Sequence, residues 1–256
     1  MKLENELPLL FSKAGYEFLW NYIQEQRNLD SQGYDSGRLV FLGFCMTNLL
    51  HSKAQLLQDL YVMYKLNSKR DGFFVEFGAA GGVNLSNTFL LEKQGGWRGI
   101  LAEPFPLWHD SLAINRKVII DHRCVWSQSG EQLEFLGTEH APEYATILDF
   151  RDADKYGVGR SRSNNVITVE SISLNDLLFQ HSAPIDIDYL SVDTEGSEFE
   201  ILNNLDFARY HPRVITVEHN FNSVLRDNLN NLLVGNGYVR EFEELSMFDD
   251  WYFLPK

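Results

Sequence analysis

The sequence predicts an α/β fold: a doubly wound, mostly parallel sheet preceded by an N-terminal helical extension. Three observations predict it. After Arg70-Asp71-Gly72 short apolar runs alternate with helical segments, as βαβ units require. The later runs IDYLSVD and VITVEH are apolar on both faces, which marks strands buried inside a parallel sheet. Gly237-Tyr238 opens one last pair of runs, read as a terminal antiparallel hairpin that completes seven strands.

The elements follow in order. From Leu9 to about Asn67 the spacing is mostly helical, clearest where Met46, Leu49, Leu50, Leu56, Leu57, Leu60, Tyr61 and Tyr64 recur at three- and four-residue intervals. The turn formers of residues 31–37 (SQGYDSG) read as a loop. Residues 73–77 (FFVEF) are the first strand, 84–94 a helix, 99–103 (GILAE) the second strand, 107–115 a helix and 118–121 the third strand. A strand-rich insertion follows, with runs at 124–127, 133–136, 145–150 and 166–170 and a Gly, Arg, Ser and Asn-rich turn region at 157–165. The alternation resumes with a strand over 187–193, a helix over 198–205, a strand over 214–219 and a helix over 224–235. With no repeat and no linker after Gly72, the expected organisation is a helical extension or cap over 1–70 and one domain over 71–256.

Composition narrows the function. With 22 Lys and Arg against 36 Asp and Glu the net charge is −14, which argues against the basic face a nucleic-acid binder needs to displace phosphate counterions. Cys45 and Cys124 stand far apart and outside any CxxC spacing, so neither a zinc cluster nor a disulfide framework is readable. The longest apolar run, 39–46, falls short of the roughly 18 residues a membrane span needs. An acid-bearing start broken by Pro8 is unlike a signal peptide, and a cytoplasmic protein is expected. The aromatic-rich extension and the prevalence of symmetric assemblies point to a homodimer.

In an open parallel sheet the ligand lies beyond the carboxyl ends of the strands. The first strand ends Glu76-Phe77-Gly78-Ala79-Ala80-Gly81-Gly82, a turn whose glycines allow close approach to a ligand. A nicotinamide loop of the GxGxxG type is disfavoured, because Ala80 occupies the second glycine position. Glu76, an acid on the strand itself, suits a cationic ligand such as the sulfonium and ammonium of S-adenosylmethionine better than a pyrophosphate. The second strand ends in Glu103-Pro104, with the acid 25 positions after Gly78, where nucleotide folds hold ribose hydroxyls.

The segment FFVEFGAAGGVNLSNTFLLEKQGGWRGILAEPFP, followed by YLSVDTEGSEFEIL and VITVEHN, resembles the FkbM family of S-adenosylmethionine-dependent methyltransferases. The resemblance runs from about Ser52 to Trp251. It implies the Rossmann-like class I methyltransferase sheet, strand order 3-2-1-4-5-7-6, with strand seven antiparallel. It also implies that Glu76, Gly78, Ala80 and Gly82 form the first cofactor motif, that Asn84, Ser86 and Asn87 open the next helix near the methionine part, and that Glu103 grips the ribose. Val125 and Trp126 would border the adenine, and Asp193, in the D-x-E-G block, would stand between cofactor and acceptor.

Methyl transfer from a sulfonium needs an aligned acceptor and a way to remove its proton. His219 is the expected base, with Glu218 and Asp193 orienting it or holding Mg²⁺. The resemblance implies a sugar, glycan or natural-product hydroxyl as small-molecule acceptor, and Tyr34, Trp20 and Trp251 are candidate walls for a sugar ring. Three alternatives stay open: an amide or amine acceptor, a non-catalytic cofactor-binding module, and a nicotinamide oxidoreductase, against which Ala80 and Glu76 both count.

Overall fold

The computed structural model of the protein describes residues 36–138, 141–153, 157–160 and 163–255. The chain divides into two compact units, Met1–Thr47 and Asn48–Lys256. In the first, the described part is most of helix α1 (Ser36–Asn48), so Ser36 and Gly37 of the expected loop are already helical. Trp20 and Tyr34 lie outside the described residues.

The single helix expected across residues 46–64 is interrupted. A 3-10 turn (Leu49–His51) follows α1, and the chain re-enters a helix only at α2 (Gln58–Lys65), behind Leu57 at φ +66°. Asp59 accounts for the break. Its carboxylate accepts hydrogen bonds from Ser52 Oγ at 2.6 Å, Lys53 N at 3.0 Å and Leu60 N at 2.8 Å. A side chain that captures backbone amides in this way competes directly with a continuous helical ladder. Helix α2 belongs to the second unit, where Tyr61 stacks on Trp251 with ring centroids 4.8 Å apart and Gln58 Nε2 donates to Asp249 at 2.7 Å.

The second unit is built on a seven-stranded sheet. Its strands are β1 (Phe73–Phe77), β2 (Arg98–Ala102), β3 (Ile119–Asp121), β8 (Tyr189–Val192), β9 (Val214–Glu218), β10 (Val239–Glu241) and β11 (Asp249–Phe253). Their spatial order is β10-β11-β9-β8-β1-β2-β3. Counted along the chain within this sheet, that is 3-2-1-4-5-7-6 from the other edge. The first five strands run parallel, and β11 pairs antiparallel with both β9 and β10. The class I methyltransferase topology is therefore present. Val75, Phe77, Ile100, Leu190, Val192, Ile215 and Val217 supply one buried face of the sheet. Against it pack Leu177 and Leu178 of α6 (Leu174–Gln180), Ile201 and Leu202 of α7 (Glu198–Asn203), and Leu229 and Leu233 of α8 (Ser223–Gly235).

The insertion makes a sheet of its own, β4 (Cys124–Trp126), β5 (Gln132–Gly137), β6 (Thr146–Ile147) and β7 (Asn165–Ser173), ordered β4-β7-β5-β6. Phe105, Cys124, Phe135, Ile147 and Val169 form its separate core. Of the strand expected over 145–150 only Thr146 and Ile147 pair as a strand; Leu148–Phe150 is a 3-10 turn, and the short helix α5 (Gly157–Arg160) follows. Between β1 and β2, helix α3 (Phe89–Gly95) starts later than residue 84, because residues 86–88 bond the carboxylate of Glu76 instead. Among the described residues no helix is long and apolar enough to cross a membrane.

Candidate functional site

A cleft of about 1020 Å³, measured to include the solvent at its mouth, opens at the carboxyl ends of β1, β2, β8 and β9. Gly78, Ala80, Asn84, Glu103, Pro104, Val125, Asp193 and Glu218 line it, so it collects most of the residues that the sequence singles out. All belong to the second compact unit.

The turn after β1 is pressed onto the end of β8. Gly78 has φ +70°, and a Cβ there would lie 2.1 Å from the carbonyl oxygen of Asp193, so only glycine fits. Ala80 takes φ +45°, a conformation that costs a non-glycine residue energy, and its N–H donates to Glu103 Oε2 at 2.9 Å. Glu103 Oε1 accepts from the Phe105 N–H at 2.9 Å. Burial pushes the Glu103 carboxyl up to about 7, against the pull of these two amides. Each of its oxygens takes one protein N–H and keeps further lone pairs for a ligand.

Several predicted residues stand behind the cleft rather than in its wall. Glu76 accepts from the Asn87 N–H at 2.7 Å, from Ser86 Oγ at 3.1 Å and from Thr88 Oγ1. Arg116, at the end of α4 (Pro106–Asn115), lies 3.7 Å from it and donates to Ser86 Oγ and Thr88 Oγ1 at 3.0 and 2.8 Å. Asn87 Nδ2 donates to Ser191 Oγ of β8 at 2.9 Å. Glu76, Ser86 and Asn87 thus brace the turn from below. Gly82 seats it on α4, where a Cβ would come within 2.5 Å of Leu112 and 2.8 Å of Arg116. Trp126 meets Phe150 edge-on and does not line the cleft.

Three carboxylates crowd the other wall. Asp193, Glu195 and Glu218 bring one oxygen each within 4.8 Å of one another. Asp193 follows β8 and hydrogen-bonds with Glu218, the last residue of β9. Burial, and then the charge of Glu198, raise Asp193 to about 7; burial, and then Asp193, hold Glu218 well above the usual range. Two close carboxyls with little access to water favour sharing a proton over bearing two charges. Glu195 is held by the guanidinium of Arg160 and by Asn220 Nδ2 at 3.3 Å. Glu218 Oε2 is buried with no hydrogen-bond partner.

His219 is not in this wall. Its side chain is 2% exposed, and both ring nitrogens are engaged: Nδ1 accepts from the Phe221 N–H at 3.1 Å, so Nε2 carries the proton and donates to the Asp249 carbonyl at 3.2 Å. Burial lowers its pKa. The ring fastens the turn in which Asn220 and Phe221 adopt φ +46° and +60°. Its neighbour Asn220 reaches the cleft instead. Trp251 is buried against Tyr61 and does not line the cleft, so it offers no ring face to an acceptor there.

Sequence reasoning missed Gln55, Phe135, Tyr144, Ile147 and Phe248, which also line the cleft. Glu195 and Asn220 sit inside the quoted DTEG and EHN strings, so a strand-end reading extended by two residues finds them. His109 has Nε2 3.0 Å from the Glu103 carbonyl and stacks on His122.

Comparison with known proteins bears on this geometry. Residues 76–249 match the Methyltransferase FkbM domain. Among curated proteins none matches the chain. Two solved structures are similar at low identity. The precorrin-6y C5,15-methyltransferase of Geobacter metallireducens GS-15 is 12% identical, with a TM-score of 0.38 over 76% of this chain and 86% of that one. A TehB-like SAM-dependent methyltransferase of Corynebacterium glutamicum ATCC 13032 Kitasato is 13% identical, with a TM-score of 0.38 over 94% of this chain and all of that one.

Proposed function

The chain belongs to the FkbM methyltransferase family, and we propose that it carries the methyl group of S-adenosylmethionine to a hydroxyl of a sugar, glycan or natural-product acceptor, with the Asp193–Glu218 pair receiving the proton. The observation that carries the proposal is the meeting, in one cleft, of the glycine turn and Glu103 on one side with that carboxyl pair on the other.

The residues present fit the cofactor. The free lone pairs of Glu103 suit the two ribose hydroxyls, Val125 and Phe135 offer apolar surface to a purine, and the acids at the ends of β8 and β9 favour a sulfonium over any anion. S-Adenosylmethionine, when bound, supplies a methyl already activated by its positive sulfur. The chain's own task is to hold the acceptor in line with that methyl and to take its proton. An unprotonated carboxylate oxygen of the Asp193–Glu218 pair serves the second task, whereas His219 has no nitrogen lone pair left to offer. His219 then acts on the reaction through the backbone it fastens.

The same wall fits Mg²⁺. Asp193, Glu195 and Glu218 are hard oxygen donors, and Glu218 Oε2 lacks a partner, so these three would hold the ion, which lowers the pKa of a coordinated hydroxyl.

Calorimetry tests the cofactor half of the reading. S-Adenosylmethionine is expected to bind the wild-type protein, and Glu103→Ala to weaken binding by roughly 1 to 3 kcal/mol, the scale of lost hydrogen bonds to a charged group. Unchanged affinity in the folded variant, or tighter binding of NADH than of the methyl donor, contradicts it.

A further inference from the structure

The loop after β8, Asp193-Thr194-Glu195-Gly196, is held in place by the insertion. Glu195 has φ +60°, a left-handed conformation that costs a non-glycine residue energy and persists only where its surroundings enforce it. Three contacts enforce it. Thr146 Oγ1 of β6 donates to the Glu195 carbonyl at 3.0 Å. The guanidinium of Arg160, the last residue of α5, donates through a terminal nitrogen to the Glu195 carboxylate. Gly196, at φ +125°, lies so close to the insertion that a Cβ there would come within 3.0 Å of Phe150 and 3.1 Å of Ala153.

Arg160 also reaches a second part of the same cleft. Its Nε donates to the carbonyl of Tyr144 at 2.8 Å, at the end of the 3-10 turn Pro142–Tyr144. Tyr144 and Glu195 both line the cleft, whereas Arg160 is 1% exposed and stands behind it. The guanidinium thus ties two lining segments to each other. A turn at φ +60° needs no ion pair, since glycine or asparagine adopts it readily, and a buried charge is costly unless it is paired and bonded. What the buried pair adds is a fixed direction for the Glu195 carboxylate, which has an oxygen within 4.8 Å of oxygens of Asp193 and Glu218. Among the described residues that line the cleft there is no Lys, Arg or His, so the cation acts on the acid wall from behind.

We propose that Arg160 is a positioning residue for the acceptor. By bonding the Tyr144 carbonyl and the Glu195 carboxylate at once, it fixes the turn of the insertion and the loop after β8 as one unit, and so sets the spacing of the walls between which an acceptor fits. Its bearing on the acceptor rests on the methyl-transfer reading; the clamp between the two segments does not.

The test has two arms, both on the full chain. Hydrogen exchange followed by mass spectrometry, with no methyl donor or acceptor added, reads the amides of residues 142–147 and 193–197. Arg160→Gln and Glu195→Gln are each expected to speed exchange in both segments together, by roughly tenfold or more, the equivalent of one lost hydrogen bond to a charged group. Arg160→Lys keeps the charge but not the planar fork that serves two acceptors, and carries the test where Arg160→Gln does not fold. Arg151→Ala is the comparison: its guanidinium pairs at the surface with Asp152, and both segments should keep the wild-type rate. Exchange unchanged in the variants of Arg160 and Glu195, or faster in one segment alone, overturns the clamp. The second arm measures transfer from methyl-labelled S-adenosylmethionine to a glycan-rich extract. Arg160→Lys is expected to lower kcat/KM for the extract by roughly 10²-fold, the cost of a misplaced wall, while calorimetry gives the wild-type affinity for the methyl donor. Unchanged kcat/KM, or an equal loss of cofactor affinity, overturns the positioning role. A wild-type protein that transfers no methyl to any extract loses the methyl-transfer reading, while the exchange arm still decides the clamp.

Discussion

Asp193→Asn is expected to lower kcat by about 10² to 10⁴, the range for loss of general base catalysis, while weakening S-adenosylmethionine binding far less. The variant keeps the shape of the site and the backbone carbonyl against which Gly78 is pressed, and removes the ability to take a proton together with one acid near the sulfonium. Glu218→Gln is expected to do the same. The double variant should lose little more than either single one, because groups that act as a unit are not additive. Steady-state rates at saturating cofactor, with calorimetry for the binding term, make the comparison. His219→Ala distinguishes the pair from the histidine: it should disturb the turn holding Asn220 and Phe221, raising the acceptor KM more than it lowers kcat. Near-normal kcat in both carboxyl variants removes the pair from the chemistry.

The second large effect concerns stability. Arg116 has no exposed side-chain surface and faces Glu92 and Glu76, themselves almost wholly buried. Arg116→Ala is expected to destabilise the fold by about 3 to 5 kcal/mol, because it strands the buried Glu76 without its counter-charge and leaves Glu92 only Lys93, at 2.7 Å. Adding Glu76→Gln should recover part of that loss, since the uncompensated charge is gone. Urea unfolding measures both. A loss below about 1 kcal/mol in Arg116→Ala would mean that the ion pair is not what holds the turn after β1, since a pair removed at so little cost behaves like an exposed one.

The fold was legible because its signals are local. Two-sided apolar runs such as VITVE and YLSV announce buried parallel strands, and the last two runs pair antiparallel as read. The helix boundaries were less so. Nothing in the periodicity of residues 46–64 shows that Asp59 will take the amides of Lys53 and Leu60, and nothing in LSNT shows that it will curl around Glu76 before Phe89 begins a helix. For the site, strand-end reasoning picked the correct positions but not the direction of each side chain. Alternation along β1 turns Glu76 into the brace and leaves the cleft to the turn beyond it. Glu218 and His219 are adjacent on the chain, yet Glu218 lines the cleft and His219 does not. The wall supplied by Phe135, Tyr144 and Ile147 comes from an insertion with no motif, and only the three-dimensional arrangement reveals it.

Methyl transfer in this cleft, from S-adenosylmethionine to an acceptor hydroxyl, is measured by the formation of S-adenosylhomocysteine from methyl-labelled cofactor in the presence of a glycan-rich acceptor extract, with and without EDTA. Extract-dependent formation of S-adenosylhomocysteine, matched by label in the acceptor fraction and lost in Asp193→Asn, is the expected result. Sensitivity to EDTA with rescue by Mg²⁺ assigns the carboxylates to the ion, and indifference to EDTA assigns them to the proton. Bound cofactor that yields neither product nor labelled acceptor with any extract would contradict the claim.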